Sequence, residues 1–246
     1  MTTLFISDLH LCGERPLING LFTRFLNEFA RDADALYILG DLFEYWVGDD
    51  QLDHDPLACD VMEQLKNVAD GGTQLFFMHG NRDFLIGARF AAEANLTLLP
   101  DPTLITLESQ PILLTHGDTL CTDDVAYQQF RVQVRNPEWQ AEVLAKPYAE
   151  RAELARNLRS RSDVEKSMKA EAIMDVNANS VADTIKRHGY PIMIHGHTHR
   201  PAKHALAING HACTRWVLPD WHQHGGFIAN NGPRGTLAAH IVSSAD

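Results

Sequence analysis

The chain has 246 residues, and its formal net charge is −11 at pH 7. This length suits one large α/β domain, with or without an insertion. The negative charge argues against a general nucleic-acid-binding protein, which needs a broad basic surface. It is compatible with an anionic small substrate, because bound metal ions would invert the local potential. No apolar stretch reaches the ~20 residues that a transmembrane helix needs, so we expect any membrane contact to be peripheral.

The cysteine pattern indicates the redox environment of the protein. Cys12, Cys59, Cys121 and Cys213 lie far apart and form no C-x-x-C pair. The first apolar run, Leu4–Ile6, is too short to be the apolar core of a secretory signal. We therefore expect reduced thiols in a cytosolic protein.

Five short apolar runs are each bounded by turn signals, a pattern that is typical of buried strands. These runs are Leu4–Ile6, Leu36–Leu39, Leu75–Met78, Ile112–Leu114 and Ile192–Ile194. Helical patterns lie between the first of them, at Leu17–Phe29, Ala58–Val68 and Ile86–Ala94. The alternation predicts βαβ units and a mostly parallel sheet.

The stretch 123–187 breaks this alternation and is rich in helical patterns. Asn136-Pro137-Glu138 has the features of an N-cap, a proline at the first helical position and an acid in the first turn. Ala149–Arg159 and Met168–Arg187 are also predicted to be helical, the second ending before a glycine. We interpret 123–187 as a helical insertion. From Ala202 onward, alternating and glycine-punctuated sequence predicts antiparallel strands that complete a second sheet.

Each of the five apolar runs leads into side chains that bind metal ions. In open α/β sheets the site lies beyond the carboxyl ends of the strands, so we expect these side chains to meet at one rim. The candidate ligands are Asp8, His10, Asp41, Asn81, His116, His195 and His197. Their mixture of carboxylate, imidazole and amide groups suits two divalent ions such as Mn²⁺.

The spacing of the ligands predicts how they share the ions. Asp8-x-His10 and His195-x-His197 would each place two side chains on one face of an extended segment, because strand side chains alternate. Asp41 follows a glycine, and we expect its carboxylate to bridge the ions. Two ions ~3.5–4 Å apart polarise a phosphoryl oxygen and acidify the water between them. The set therefore predicts in-line attack of a metal-activated water on phosphorus.

Other histidines are interpreted as structural. A lone buried histidine is more often a core residue with satisfied hydrogen bonds than a ligand. We assign His79, His199 and the remaining C-terminal histidines to that class.

The motifs DLH, GDLFE, GNRD, THGD and HGHTH, in this order and each after an apolar run, resemble those of the calcineurin-like metallophosphoesterase superfamily. The resemblance implies an α/β fold, a β-sandwich flanked by helices, in a single domain over residues 1–246. It also implies a dinuclear metal centre, over which 123–187 would form a helical cap. Carried over by motif, one ion would take Asp8, His10, Asp41 and His197, and the other Asp41, Asn81, His116 and His195.

Arg82 departs from the superfamily pattern, which commonly has a histidine there to help the leaving group depart. Arginine does not donate a proton at ordinary pH, but its planar guanidinium can brace developing phosphoryl charge. A reaction without a proton donor suits a leaving group that is already stable as an anion. Phosphate, with a second pKa of about 6, is such a group. The arginine therefore predicts pyrophosphate cleavage.

Longer strings give a closer resemblance. FISDLHL, ADALYILGDLFEYWVGDD, FMHGNRDFL, THGDTLCTDD, AIMDVN and IHGHTHRP are similar to the UDP-2,3-diacylglucosamine diphosphatase family of lipid A biosynthesis, as far as about Pro201. The resemblance implies Mn²⁺-dependent hydrolysis of an acylated UDP-sugar, UDP-2,3-diacylglucosamine, by attack at the α-phosphorus. The products would be UMP and 2,3-diacylglucosamine 1-phosphate (lipid X). The protein would work as a peripheral protein on the cytoplasmic face of the inner membrane.

The same resemblance implies the roles of individual residues. The catalytic residues would be Asn81, Arg82, His116 and His195. The substrate would be bound by Asn81, Arg82, Asp124, Ser162, Lys166, Lys169 and His195. Asp124 would contact the glucosamine unit, and Ser162, Lys166 and Lys169 would contact the head group. Apolar residues of 123–187 would line a groove for two acyl chains, whose burial is worth ~0.8 kcal/mol per CH₂.

Two other functions fit parts of the sequence. A phosphodiesterase or phosphatase for a soluble nucleotide would share the metal ligands. The apolar residues of the insertion, and the seven Lys/Arg against four acids in 146–169, argue against it. A scaffold of this fold without catalysis would be expected to lose ligands, whereas all of the expected ones are present. We expect no nucleic-acid partner, and the sequence leaves protein partners open.

Overall fold

The computed structural model describes residues 1–168, 175–230 and 236–243, and for 160–168 it describes the backbone only. The strands are β1 (Thr3–Ile6), β2 (Ala35–Ile38), β3 (Gln74–Met78), β4 (Leu96–Leu99), β5 (Thr103–Leu107), β6 (Gln110–Thr115), β7 (Ile192–His195), β8 (Ala202–Ile208), β9 (His211–Val217), β10 (Gly225–Asn230) and β11 (Leu237–Val242). The α-helices are α1 (Pro16–Glu28), α2 (Pro56–Asp70), α3 (Ala88–Glu93), α4 (Val125–Val134), α5 (Pro137–Leu144), α6 (Tyr148–Met168) and α7 (Ala178–Arg187). The five apolar runs are all confirmed as strands.

The strands form two sheets. One is six-stranded in the order β11-β10-β1-β2-β3-β4, and the other is five-stranded in the order β5-β6-β7-β9-β8. Neighbours are parallel from β1 to β4 and from β6 through β7 to β9, and the outer pairings are antiparallel. The prediction of one mostly parallel sheet is therefore wrong for β6 and β7, which belong to the second sheet. An apolar run predicts a buried strand but does not indicate which strand it pairs with.

The two sheets pack face to face, and helices cover their outer faces. Tyr37 on β2 lies in a buried cluster with Leu114 on β6 and Ile194 on β7, between the sheets. Leu36, its neighbour in sequence, lies on the opposite face with residues of α1 and α2. Because successive strand side chains point to opposite faces, a strand buried on both sides has a continuous apolar run. The predicted α/β sandwich flanked by helices is confirmed.

A capping residue fixes the start of α5 at the predicted position. Asn136 accepts hydrogen bonds from the backbone N–H groups of the first turn of α5, and Pro137 occupies the first position. The predicted helix Met168–Arg187 is wrong in its extent. Asn177 caps a separate α7 by accepting from the N–H groups of its first turn, and residues 175–177 are not helical.

The last strands are divided between the sheets. Asn209 and Gly210, with φ of 50° and 83°, form the two-residue turn of the β8–β9 hairpin, as a type I′ turn requires. β10 and β11 join the first sheet instead of the second, because β10 pairs antiparallel with β1. Gly225 and Gly226 lie inside β10. A Cβ on Gly225 would be 2.6 Å from the ring of Trp221, so a side chain does not fit there.

Helices of the described residues are each too short or too polar to cross a bilayer.

Candidate metal centre and active site

The carboxyl ends of both sheets meet at one rim, and backbone hydrogen bonds join the loops there. The N–H of Asp8, after β1, donates to the carbonyl of Gly40, after β2, at 3.1 Å. His116, after β6 in the other sheet, donates from Nδ1 to the carbonyl of Leu39 at 2.8 Å. Gly196, after β7, donates its N–H to the carbonyl of His116 at 2.9 Å. The rim therefore gathers residues from four strands and both sheets.

The rim loops turn through the left-handed region of the backbone. Positive φ values of 52° to 68° occur at Asp8, His10, Asp41, His197 and His199. Such φ values are uncommon outside glycine and cluster at functional sites. The D-x-H and H-x-H segments are thus not extended. The expectation that strand alternation aligns their side chains is wrong, and tight turns aim them into the rim instead.

Glycines allow the loops to approach closely. A Cβ on Gly80 would overlap the Oδ1 atom of Asp41, and a Cβ on Gly196 would overlap Oδ2 of Asp8. The backbone of each glycine therefore packs directly against a carboxylate of the site.

One group of candidate ligands contains Asp8, His10 and His199, and their ligand atoms lie within 4.8 Å of one another. The Nε2 atoms of His10 and His199 are 3.3 Å apart. Nε2 of His199 is 3.5 Å from Oδ1 of Asp8. Asp8 is completely buried, so this group combines a buried carboxylate with two imidazoles.

A second group contains Asp8, Asp41 and His116, whose ligand atoms also lie within 4.8 Å of one another. Oδ1 of Asn81 is 3.0 Å from Nε2 of His116 and 2.8 Å from Nδ1 of His197. Asn81 and His197 are thus placed beside this second group.

Asp41 faces both groups. Its Oδ2 atom is 3.8 Å from Nε2 of His10, and its Oδ1 atom is 3.9 Å from Nε2 of His116. The backbone N–H of Arg82 donates to Oδ1 at 2.8 Å and fixes the carboxylate. This is the placement expected of a carboxylate that bridges two ions.

The donor atoms of the rim fit divalent cations. Because Nδ1 of His116 donates to the Leu39 carbonyl, Nε2 is the nitrogen that this ring can present to a cation. That atom faces the carbonyl oxygen of Asn81, so a cation bound there would take the place of the Nε2 proton. Burial lowers the pKa of His116, but the carboxylates of Asp41, Asp118 and Asp8 outweigh it and raise the pKa to about 9. The rim thus has a strongly negative potential.

His195 is not among these groups. It is fully buried, its Nδ1 donates to the carbonyl of Gly196 at 2.8 Å, and its Nε2 accepts from Nη1 of Arg215 at 2.8 Å. Burial, and then the Arg215 guanidinium, lower the pKa of His195 to about 4, so the imidazole is neutral. Both ring nitrogens are therefore used inside the protein.

His199, interpreted from sequence as structural, lies with the first group. His197 lies with Asn81 beside the second group. The roles of His195 and His197 as ligands, and of His195 as catalytic residue and substrate contact, stay predictions. His79 hydrogen-bonds the carbonyl of Ile86 at 2.7 Å, as its structural interpretation requires.

Supporting residues hold the ligands in place. Ser7 Oγ donates to Oδ2 of Asp8 at 2.5 Å. The fully buried Asp83 accepts from the N–H groups of Gly80 and Leu42 at 2.8 and 2.7 Å, and so ties the GNRD loop to the GDL loop. Burial, with the nearby negative charge, raises the pKa of Asp83 to about 7. Glu44 Oε2 lies 3.5 Å from Nδ1 of a ligand histidine, His10. Asp83 is the last residue of the GNRD motif and Glu44 the last residue of GDLFE. Their places in these motifs were the only signal that sequence reasoning had for their supporting roles.

Helix α4 packs against the second group. Tyr127 donates from its hydroxyl to Oδ2 of Asp118 at 2.6 Å, and its ring centroid is 5.8 Å from that of His197. Arg131 donates from Nε to the same Asp118 oxygen at 2.7 Å. Asp124 caps this helix by accepting the N–H of Tyr127 at 3.1 Å. Tyr127 is one of the apolar residues of 123–187, which the sequence predicts to pack against the domain or to line the acyl-chain groove, and its place at the rim was not predicted.

The structure describes only some of the remaining predicted substrate contacts. Arg82 is half-buried, and its Nε atom is buried with no hydrogen-bond partner within the described parts of the chain. That donor is free to bind an anion at the rim. The side chains of Ser162 and Lys166, and all of Lys169, lie outside the described residues.

Comparison with known proteins identifies the family of the chain. A model of the calcineurin-like phosphoesterase family matches residues 1–201, so the chain belongs to that family. The UDP-2,3-diacylglucosamine hydrolase of Aromatoleum aromaticum is 52% identical over 232 residues, which cover 94% of this chain and 94% of that protein. The hydrolases of the same name from Stenotrophomonas maltophilia and Escherichia coli are 52% and 50% identical, each over 93% of this chain and 94% of the relative. Within the phosphoesterases, the chain therefore falls among the UDP-2,3-diacylglucosamine hydrolases, as its longer strings predict.

Proposed function

We propose that the chain hydrolyses the pyrophosphate bond of UDP-2,3-diacylglucosamine, giving UMP and 2,3-diacylglucosamine 1-phosphate (lipid X) in lipid A biosynthesis. The observation that carries this proposal is the 52% identity to a UDP-2,3-diacylglucosamine hydrolase over 94% of both chains. The match extends along nearly the whole length of both proteins.

We assign two divalent ions, Mn²⁺ by the chemistry of the donors, to the two groups of the rim. By the motif resemblance, the first ion would be held by Asp8, His10, Asp41 and His197, and the second by Asp41, Asn81, His116 and His195. His199 also lies with the first group. Two ions held by these neighbouring groups would polarise a phosphoryl oxygen and acidify water for in-line attack on the α-phosphorus. Mixed imidazole and carboxylate ligands, with buried carboxylates at Asp8 and Asp41, support a dinuclear site of this kind.

The protein's own side chains would orient and neutralise the diphosphate. Asn81 and Arg82, from one loop, would contact its oxygens, and the free Nε of Arg82 supports this role. The leaving group is a sugar phosphate, which departs as an anion without a protonated donor. The hydrogen bond from His116 to the Leu39 carbonyl keeps that ring oriented for a ligand role throughout.

The segment 123–187 would be the cap of a single domain and would bind the acylated sugar. Asp124 stands at the start of α4, whose Tyr127 lies against the rim, so the glucosamine unit would lie at that end. Ser162, Lys166 and Lys169 would contact the head group. Exposed apolar side chains on α4 and α5, with Val132 at 73% exposure and Leu144 at 43%, support contact with acyl chains. We propose peripheral attachment to the cytoplasmic face of the inner membrane through this surface.

The proposal is tested by incubation with UDP-2,3-diacylglucosamine and Mn²⁺ in ¹⁸O-labelled water. We expect UMP that carries one ¹⁸O, because the attack is on the α-phosphorus. Label in the acylated sugar phosphate would exclude that site of attack, and absence of hydrolysis would exclude the function. Asp41→Ala serves as the inactive control, and bis(p-nitrophenyl) phosphate as the nucleotide-free substrate.

A further inference from the structure

The loop 218–224, between β9 and β10, is attached to the ligand loop that follows β1. The N–H of Trp221 donates to the carbonyl of Asp8 at 3.2 Å. Arg15 donates to the carbonyl of Trp221 and, at 3.2 Å, to the carbonyl of His10. Trp221 itself is buried in the core. The loop is therefore held beside the first ion group by a buried anchor and by backbone contacts on both ligand residues.

An open cavity of about 340 Å³ lies on this loop, lined by Asp220, His222, Gln223 and His224. Its wall reaches the metal centre directly, because Oδ2 of Asp220 is 3.7 Å from Nδ1 of His199. Its other side chains are exposed. The volume falls in the ~300–1,000 Å³ range of small-molecule sites.

The two ends of the metal centre have different neighbours. At the end of the second group, Tyr127 and α4 lie against His197, and there we place the acylated sugar. At the end of the first group, Asp220 and its loop lie against His199. A diphosphate held across the centre has one substituent at each end. With the sugar at α4, the nucleoside leaves the centre on the side of the 218–224 loop.

The cavity has the chemistry that a pyrimidine nucleoside needs. Flat imidazole rings, here those of His222 and His224, stack on unpaired bases in single-stranded recognition sites. The amide of Gln223 both donates and accepts hydrogen bonds, as the edge of uracil does. The carboxylate of Asp220 accepts hydrogen bonds from the ribose hydroxyls. We infer that this cavity binds the uridine of the substrate and of the UMP product, an inference that rests on the proposed function.

The test compares UMP with ribose 5-phosphate, which has the same phosphate and sugar but no base. Binding of each to the Mn²⁺-loaded protein is measured by calorimetry. We expect the wild type to prefer UMP about tenfold, within the range of base–aromatic stacking energies. The double variant His222→Ala, Gln223→Ala should lose that preference. Gln110→Ala, an exposed glutamine at the start of β6, is the matched control and should retain it.

A kinetic readout accompanies the binding measurement. In the double variant, the ratio of kcat/KM for UDP-2,3-diacylglucosamine to that for bis(p-nitrophenyl) phosphate should fall about tenfold, through KM. Equal binding of UMP and ribose 5-phosphate to the wild type, or an unchanged preference in the double variant, would overturn the inference. So would equal losses on both substrates, since these indicate damage to the metal centre. A wild type that hydrolyses UDP-2,3-diacylglucosamine but does not prefer UMP keeps the proposed function and loses only this site.

Discussion

Two histidines of the H-G-H-T-H motif lead to opposite expectations for the same conservative substitution. His195→Gln removes a proposed ligand of the second ion. Loss of a supporting residue alone typically lowers metal affinity ~10–100-fold, so loss of a ligand should lower the affinity for that ion at least that much. The same substitution also removes a buried ring whose two 2.8 Å hydrogen bonds join Gly196 and Arg215, at a cost of about 0.5–1.5 kcal/mol for each bond that the glutamine does not replace. His199→Gln removes an imidazole whose Nε2 is 3.3 Å from Nε2 of His10 but which the motif assignment gives no ligand role.

The two effects are separated by two measurements on the same samples. Mn²⁺ titration followed by electron paramagnetic resonance of the free ion gives the number of tight sites. Urea unfolding of the metal-free protein gives the free energy of unfolding. We expect His195→Gln to bind one ion tightly, and His199→Gln to bind two ions and retain its stability. If His199→Gln loses a tight site while His195→Gln keeps both, the assignment is refuted.

Three further substitutions test other parts of the site. Gly80→Ala should lower kcat at least tenfold, since its Cβ would overlap the Asp41 carboxylate. Gly20→Ala is the control, because there is open space around this glycine in α1. It should leave activity unchanged and add up to about 1 kcal/mol to the free energy of unfolding. Arg82→Ala should lower kcat about 10²–10³-fold, as loss of an oxyanion donor does, while Arg82→His should improve turnover of aryl phosphodiesters; full activity of the alanine variant would contradict this role. Arg131→Ala should lower the free energy of unfolding by about 1–3 kcal/mol, because it removes an ionic partner of a buried carboxylate, and an unchanged urea midpoint would show that the pair contributes nothing.

Much of the fold was predictable because buried strands and capped helices leave local signals. Leu36 and Tyr37 are adjacent apolar residues on opposite faces of one strand, a pattern that arises only when both faces are covered. Asn136 and Pro137 mark the start of α5 by the hydrogen-bonding needs of a helix terminus. The division of the strands into two sheets was not predictable in the same way. Pairing of β10 with β1 joins residues more than two hundred positions apart, and no local pattern encodes it.

The site was predictable in its membership and less so in its geometry. The seven expected ligands follow strands, and six of them lie in or beside the two groups at the rim. The H-G-H-T-H motif offers three histidines, of which the sequence favoured His195 and His197. The left-handed turns at His197 and His199, with φ of 68° and 53°, bring His199 to the first group as well, which alternation along an extended segment does not predict. Arg215, whose guanidinium donates to His195, lies twenty residues further on and carries no motif that links it to the site.

The residues that surround the ligands were predicted only in part. Tyr127 was grouped with apolar residues of the insertion, because an aromatic residue on a helix is most often part of a packing surface. Its hydroxyl instead joins Asp118, and its ring lies beside His197. Only the three-dimensional arrangement shows that α4 starts at the metal centre.

Anomalous diffraction from crystals grown with Mn²⁺ tests the paired metal centre most directly. Two anomalous peaks about 3.5–4 Å apart are expected, with the Asp41 carboxylate between them, His197 on one ion and His195 on the other. A single peak, or two ions neither of which is bound by His195, would contradict the account.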